Sequence, residues 1–434
     1  MKKNLLKTVL LTIGVSTLVT SCNNDDSKPW ELPEVSNSGI KLPYTVLRTT
    51  EDNVEIRNGG FGSAATAHPT NVGEFYALTD RGANISFGSN KIFPTPDYTP
   101  RIGHFKLTSE GTIEKVKEIL FKDPSGNLIS GRPNAAGYGA TGEIAYDEDQ
   151  TTVLATDNYG LDSEGLVAMK DGSFWVSDEY GPHVAHFDAE GNQLERLSPK
   201  GINGEAGDRK LPAVFATRWA NRGMEGLAIT PDEKTLVGIM QSTLYNPSKA
   251  DVVDFTITRI VTFDIATGAT KQYLHKQEKA KNSNSEIVAL SNTEFLIVER
   301  DGAFTKDTDK GTVQKHIYKI DISNATDVSD SEDSANGKLI DGKTIEQCTW
   351  SELETAGILP ATKTLAVDLI AVLGDYPHDK LEGIWLINDS TIGVINDDDF
   401  AVWTGENSAT TQKYISGTET TENIDGNTLY IVNF

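Results

Sequence analysis

The sequence has few cysteines, and this scarcity limits what can hold the fold together. Only Cys22 and Cys348 occur among 434 residues. If Cys22 carries a lipid, no disulfide can form within the chain. An exported protein of this size then depends on its hydrophobic core, on bound metal, or on both. We expect Cys348 to be a small, buried, apolar residue.

Long apolar runs and several catalytic motifs are also missing. Beyond the N-terminus, no apolar run reaches the roughly 18 residues that a transmembrane helix needs. The chain has no CxxC and no HExxH pattern, so we do not expect a zinc site. It also lacks the GxSxG elbow that is typical of serine hydrolases.

Basic residues are outnumbered, because 39 lysines and arginines face 63 aspartates and glutamates, which gives a formal net charge of −24. Such a surface repels nucleic acid, so we expect no nucleic-acid partner. An acidic surface tolerates divalent cations. The alternative explanation for the overall acidity is that it only keeps an exported protein soluble.

The N-terminus has the pattern of a lipoprotein signal peptide. Three lysines and a short apolar stretch over residues 9–18 precede a VTSC sequence that ends at Cys22. The pattern predicts a signal peptide over residues 1–21, lipidation of Cys22 and a flexible tether over residues 22–39. We therefore expect the protein to be anchored in a membrane of the cell envelope, facing the periplasm or the cell surface. Ordinary signal cleavage with an incidental cysteine is the alternative.

Residues 40–434 have the pattern of a single all-β domain. Short β-branched or aromatic runs alternate with Gly, Asn, Asp and Pro. In a recurring unit, a glutamate starts an apolar strand, a polar turn follows, and a second apolar strand ends in an acidic or amide residue. These repeats predict a β-propeller of about six blades, with long insertions at residues 83–161 and 303–379. Residues 40–60 and the C-terminal strand 428–434 would pair to close the ring.

The repeated hairpins would bring acidic side chains together, since residues equally far from an antiparallel turn face each other. Glu164 would then oppose Asp178, and Glu286 would oppose Glu299. We expect such pairs to converge on one face, around the central channel, where a cation would make their crowding tolerable. Ca²⁺ takes about six to eight oxygen ligands and is the expected cofactor. The predicted ligands are Asp80, Glu164, Asp178, Glu286, Glu299, Glu382 and Asp397.

Basic residues lie beside these acids in the sequence. Arginine binds phosphate or carboxylate through two hydrogen bonds, and a bound cation can activate water for attack on an ester. We therefore expect hydrolysis of a small phosphorylated or other ester substrate. The expected catalytic residues are Glu164, Asp178, Glu179, Glu225, Arg222 and Arg300, and the expected substrate-binding residues are Arg81, His183 and Lys380.

Two alternatives to this chemistry remain open at the level of the sequence. The arginine and glutamate residues would, in the first, only form salt bridges between neighbouring strands. In the second, the propeller would bind a ligand or partner without turning it over, and Ca²⁺ would be structural.

Several motifs together resemble the phytase-like family, which is described by an esterase-like activity of phytase. The resemblance implies a propeller fold and an ester or phosphoester hydrolase activity, without fixing the catalytic residues. The first hairpin departs from the family's pattern, because Ser63-Ala64-Ala65 stands where Ser-Gly-Leu is usual. The matching segments, over roughly residues 45–405, are FYALTDRG from Phe75, DSEGL from Asp162, FWVSDEYGP from Phe174, NRGMEGL from Asn221, IVERDG from Ile297, KLEGI from Lys380 and NDDDF from Asn396.

Overall fold

Five antiparallel sheets of four strands each form the body of the protein in a computed structural model that describes residues 29–199, 209–306, 311–415 and 419–434. The predicted signal peptide and Cys22 lie outside these residues. Blade 1 consists of Ala64–Ala67, Glu74–Leu78, Arg101–Leu107 and Ile113–Leu120, blade 2 of Ser163–Ala168, Phe174–Asp178, His183–Phe187 and Gln193–Leu197, and blade 3 of Met224–Ile229, Thr235–Met240, Ile257–Asp264 and Thr270–Lys276. Blade 4 consists of Ser283–Ala289, Glu294–Arg300, Lys315–Asp321 and Thr362–Asp368, and blade 5 of Gly383–Asn388, Thr391–Ile395, Thr428–Asn433 and Ile40–Lys41.

The five sheets are arranged as the blades of a closed propeller. The first strand of each blade contacts the first strand of the next, and the first strand of blade 5 contacts that of blade 1. Blade 5 combines both ends of the chain, because Ile40–Lys41 pairs antiparallel with Thr428–Asn433. The structure therefore confirms the all-β propeller and the predicted closure of the ring.

The described residues form five blades, so the expectation of about six is not confirmed. The two long insertions add to existing blades, since residues 83–161 include outer strands of blade 1 and residues 303–379 include outer strands of blade 4.

No helix among the described residues is long and apolar enough to cross a bilayer. Smaller strands are Ile85–Phe87, Asn90–Ile92 and Ala145–Tyr146 in one sheet, Val46–Thr49 with Glu55–Arg57, Leu339–Ile340 with Lys343–Thr344, and Val402–Thr404 with Thr410–Gln412. The α-helices are Trp350–Thr355 and Leu369–Leu373, and the 3₁₀ helices are Ala213–Thr217, Lys249–Asp251, Ile345–Gln347, Asp399–Ala401, Glu406–Ser408 and Thr421–Asn423.

Apolar side chains fill the spaces between neighbouring blades. Phe75 of blade 1, for example, stacks on Trp385 of blade 5 with ring centroids 4.6 Å apart. Burial of each large apolar side chain contributes roughly 1.5–3 kcal/mol, so these interfaces stabilise the ring.

Cys348 is buried, as predicted, and its thiol donates to the Thr344 carbonyl. Residues 29–39 of the predicted tether form no helix or strand, and the Trp30 indole N–H donates to Leu107 O of blade 1.

The hairpin register differs from the prediction, because a β-bulge lies near the start of the first strand in blades 2 and 4. In blade 2, Ser163 pairs with Asp178 and Gly165 with Ser177, so Glu164 is the bulged residue and does not oppose Asp178. In blade 4, Glu299 pairs with Asn284, so Glu286 opposes Val298 instead of Glu299. The prediction was wrong here because a bulge adds one residue to one strand and shifts the pairing beyond it.

Candidate functional site

A cavity of about 450 Å³ lies where the first strands of the blades begin and the second strands end. Eight carboxylates and five cationic side chains line it, so its formal charge is −3 when all of them are ionised. The carboxylates are those of Asp80, Asp162, Glu164, Glu179, Glu225, Asp379, Glu382 and Asp399, and the cations are those of Arg81, Lys91, Arg222, Arg300 and Lys380.

The structure brings together most of the residues that the sequence predicted. The repeat places them correctly because equivalent ends of the hairpins meet around the channel. The predicted residues that line the cavity are Asp80, Arg81, Glu164, Glu179, Arg222, Glu225, Arg300, Lys380 and Glu382. Asp178, His183, Glu286, Glu299 and Asp397 are not among its lining residues.

Asp178 and His183 form a buried pair that supports the cavity from outside it. The Asp178 Oδ2 atom lies 3.0 Å from His183 Nδ1, and its Oδ1 atom accepts the backbone N–H of Asp162 at 2.9 Å. Burial lowers the pKa of His183 despite the neighbouring carboxylate, which raises it. The pair therefore fixes the backbone at Asp162 and leaves neither side chain at the cavity wall.

Glu299 and Asp397 are each held in an ion pair. Lys363 Nζ lies 2.7 Å from Glu299 Oε2, and Asn282 donates to Glu299 Oε1 at 2.8 Å. Although burial raises the pKa of Glu299, the partners His275 and Lys363 lower it to about 2. Asp397 Oδ2 accepts from Lys380 Nζ at 2.6 Å. Glu299 is thus committed to partners away from the cavity, whereas Asp397 anchors a lysine that lines it.

Three carboxylates form the tightest acidic cluster of the cavity. One oxygen each of Asp80, Asp162 and Glu164 lies within 4.8 Å of the other two, and all three side chains are buried. Asp80 is oriented by the Gly82 backbone N–H, which donates to its Oδ1 at 2.9 Å. An all-oxygen donor set of this kind suits Ca²⁺ or Mg²⁺ better than zinc.

The sequence did not identify Asp162 as a ligand, because it precedes the recurring glutamate of the repeat. Its i, i+2 spacing from Glu164 was the available signal. Asp80 and Glu164 were predicted as ligands, and the structure places them beside each other. The cluster is therefore formed by blades 1 and 2 together, across their boundary.

Burial and crowding raise the pKa values of the cavity acids. Burial, reinforced by Asp162, raises the pKa of Asp80 to about 7. Burial, reinforced by Glu382, raises the pKa of Glu225 to about 8. The pKa of Glu179 lies well above its ordinary value for the same reason, and its side chain shares a hydrogen bond with Asp162. Several of these groups therefore hold protons at neutral pH that a bound cation would displace.

Most cations of the cavity are already paired. Arg81 lies 3.1 Å from Asp162 Oδ2 and 3.2 Å from Glu143 Oε1. Arg300 is bound to Glu382, and Lys380 donates to Asp397 and Asp399. Arg81 and Arg300 thus connect neighbouring blades, as the alternative of blade-to-blade salt bridges expects, whereas Lys380 pairs within blade 5.

Arg222 differs, since in the described part of the chain it forms no ion pair with a carboxylate. Its Nη1 atom donates to Ser242 Oγ at 2.6 Å, and its guanidinium lies 4.5 Å from the Trp219 ring centroid. Glu179 and Glu225 act on its charge only from beyond ion-pair distance. Lys91, the other cavity cation without an ion pair among the described residues, donates to Ser86 Oγ. Because a guanidinium offers a planar pair of donors, Arg222 is the better placed of the two to bind an incoming anion.

The cavity also has a rim that lies outside the repeat. Trp403, from the hairpin Val402–Thr404, lines it and is 44% exposed. The Ser86 N–H donates to Thr404 Oγ1 at 3.0 Å and joins this hairpin to the small sheet that carries Lys91. No sequence pattern identified these residues, because they belong to insertions that each occur once.

Comparisons with known proteins agree with the motifs. A family model described as "Phytase-like: Esterase-like activity of phytase" matches residues 56–400. An "Uncharacterized secreted protein" of Arthroderma benhamiae is 31% identical over 280 residues, which cover 52% of this chain and 53% of that protein. The match thus spans about half the length of that relative.

Solved structures also align with the chain. A streptogramin B lyase aligns with a TM-score of 0.32 and 10% identity, covering 92% of this chain and 100% of that chain. A luciferin-regenerating enzyme aligns with a TM-score of 0.32 and 9% identity, covering 86% of this chain and 92% of that chain. The fold assignment rests on the strand pairing described above.

Proposed function

The chain belongs to the phytase-like family, and on this premise we propose that it is a hydrolase of phosphoesters or related esters that requires a divalent cation, Ca²⁺ in the first place. One observation carries the proposal. The carboxylate cluster of Asp80, Asp162 and Glu164 opens into the same cavity as Arg222, whose charge has no carboxylate partner among the described residues. A cation and an anion-binding arginine in one cavity are the two elements that ester hydrolysis with a charged substrate needs.

The chemistry of the donors supports a cation. Oxygen atoms alone are offered, and Glu225 Oε2 is buried without a hydrogen-bond partner in the described structure. Burial of a carboxylate oxygen without a hydrogen-bond partner is energetically unfavourable, and coordination of a hard cation would compensate for it. The cluster of Asp80, Asp162 and Glu164 would hold the ion, with Glu225 beside it.

The remaining side chains have distinct tasks in this proposal. A bound Ca²⁺ would lower the pKa of water and offset charge that develops on the ester. Arg222, held by Ser242 and Trp219, would bind the anionic group of the substrate. Glu179, whose pKa burial raises well above its ordinary value, would be a proton donor for the leaving oxygen. Arg81 and Lys380 would counteract the rise in pKa of their partner carboxylates and hold them in place.

The site of action is proposed from the N-terminus and from the relative. The Arthroderma benhamiae protein is described as secreted, and residues 1–22 of the present chain have the pattern of a lipoprotein signal sequence. We therefore place the protein at the cell envelope, anchored through Cys22, with a small phosphorylated or ester substrate.

An activity assay with metal removal tests the proposal. Purified protein is assayed on 4-nitrophenyl phosphate and 4-nitrophenyl acetate, with EDTA and then with added Ca²⁺. We expect EDTA to abolish turnover, Ca²⁺ to restore it, and E164Q to lower kcat/KM by about 100-fold, as loss of a charge that stabilises the transition state does. E294Q, at a partly exposed glutamate paired with Lys319, is the control.

Two outcomes would contradict the proposal. Turnover that survives both EDTA and E164Q removes the metal-dependent mechanism. Absence of turnover, together with an unfolding temperature that Ca²⁺ raises, favours the binding propeller with a structural ion.

A further inference from the structure

Glu286 occupies a position that is glycine in three other blades. The strand pairs Gly165 with Ser177, Gly226 with Ile239, Glu286 with Val298 and Gly383 with Ile395 show that these four residues are equivalent. In blades 2, 3 and 4 the residue follows directly after the bulge. The glutamate side chain of blade 4 therefore enters a space that the other blades leave free.

The glycines are required because the first strands approach one another closely at this level. A Cβ atom on Gly165 would lie 2.6 Å from the backbone nitrogen of Leu227, and one on Gly226 would lie 2.7 Å from that of Ile287. A Cβ atom on Gly383 would lie 3.2 Å from the backbone nitrogen of Ala65. The backbone nitrogens of Leu227, Ile287 and Ala65 thus surround the channel axis.

The Glu286 carboxyl group accepts hydrogen bonds from these nitrogens. Its Oε1 atom accepts the N–H of Ile287 at 3.0 Å and that of Leu227 at 3.3 Å. Burial raises the pKa of this carboxyl group well above its ordinary value, and the N–H groups of Ile287, Leu227 and Ala65 act in the opposite direction. The three donors belong to blades 4, 3 and 1. Oε2 is buried without a hydrogen-bond partner in the described structure.

The physical need for an acceptor follows from the propeller geometry. The first strand of each blade has a neighbour on one side only, so its inner edge carries N–H groups that no strand pairs. Buried backbone N–H groups without an acceptor are unfavourable. One carboxyl group on the axis satisfies donors from several blades at once.

We propose that the channel axis is a binding site for a small carboxylate, built from backbone N–H groups of three blades, and that the Glu286 side chain is its resident ligand. Glu286 is not among the residues that line the cavity, although Glu225 of the cavity wall is close enough to act on its charge, and the proposal holds whether or not the protein is a hydrolase. Removing the side chain would leave the donors in place and open to an external carboxylate such as formate.

Chemical rescue tests the proposal. E286G restores the glycine of the other blades and empties the site, whereas E286Q keeps an acceptor oxygen and fills it. Unfolding temperatures are measured with increasing formate at constant ionic strength. We expect E286G to unfold several degrees below the wild type. Increasing formate should restore most of this difference in unfolding temperature, and the effect should saturate. We expect no formate response from the wild type or E286Q.

Direct binding provides a second measurement. The ¹³C signal of labelled formate should broaden with E286G and not with E286Q. If E286G does not fold by itself, its refolding yield in formate against buffer takes the place of the unfolding temperature. An E286G protein that shows no formate response, whatever its stability, or equal formate responses of all three proteins, would overturn the proposal.

Discussion

The raised pKa values of individual carboxyl groups predict that the cavity binds a cation in exchange for protons. Burial raises the pKa of Asp80 to about 7 and that of Glu225 to about 8. Folding without a cation therefore favours their protonated forms. A divalent ion bound as proposed would supply the positive charge that the ionised forms need, so it would compete with protons for the same oxygens.

The pH dependence of stability follows from the sign of these shifts. Both acids have folded pKa values above their unfolded values of about 4, so the native state binds more protons between about pH 4 and pH 8. In EDTA, we expect the unfolding temperature to fall as the pH rises through this window. Ca²⁺ should raise the unfolding temperature most at the alkaline end. A gain from Ca²⁺ that is independent of pH would contradict the assignment of these carboxylates.

Arg222 is the residue whose replacement should affect anion binding most directly. R222K keeps the positive charge but loses the planar pair of donors, so we expect at least a 10-fold weaker inhibition by inorganic phosphate. R48K changes an arginine that pairs with Glu148 away from the cavity and should leave inhibition unchanged. Equal inhibition of wild type and R222K would show that the anion is bound elsewhere.

At the scale of single elements, the hairpins were largely predictable and their register was not. Alternating apolar residues and turn residues identified the strands around Glu164, Glu225 and Glu382. The bulge at Glu164 was not predicted, because the predicted register assumed that residues pair one to one on both sides of the turn. The prediction for Glu286 failed for a related reason, since a serine, Ser285, takes the bulged position in blade 4.

The candidate site was predictable where it follows the repeat. Residues at the hairpin ends, such as Asp80 and Glu225, were placed correctly because the propeller brings equivalent ends together. Lys91 and Trp403 were not, since insertions outside the repeat carry them to the rim. The blade count also depended on the insertions, whose longer strands join blades 1 and 4 while their shorter strands form small separate sheets.

The hairpin that carries Trp403 should influence the choice of substrate. Its indole offers an apolar surface at the rim of an otherwise polar cavity. We expect W403A to raise KM for aryl phosphates by about 5- to 10-fold and to leave KM for glycerol phosphate nearly unchanged, because only the aryl group can stack. L365A, at an exposed residue on the outer strand of blade 4, is the control. Equal effects of W403A on both substrates would contradict stacking.

At the scale of the whole molecule, stability depends on the blade built from both ends of the chain. Thr428–Asn433 lies between Thr391–Ile395 and Ile40–Lys41. Leu429 is fully buried there and packs with Phe61, Phe75 and Trp385. We expect L429A to lower the free energy of unfolding by about 2–5 kcal/mol, measured by urea denaturation. V72A, at an exposed valine, should cost less than about 0.5 kcal/mol.

Blade 5 also determines when the acidic cavity can form during synthesis of the chain. Blade 5 needs residues 428–433, which are translated after the other strands of the propeller, and it supplies Lys380 and Glu382 to a cavity whose first contributor is Asp80. A nascent chain, or one clipped before its final strand, therefore presents these carboxylates as separate, hydrated groups with ordinary acidity. If the cavity binds a cation as proposed, a chain truncated before residue 428 would lack that binding as well as the closing strand.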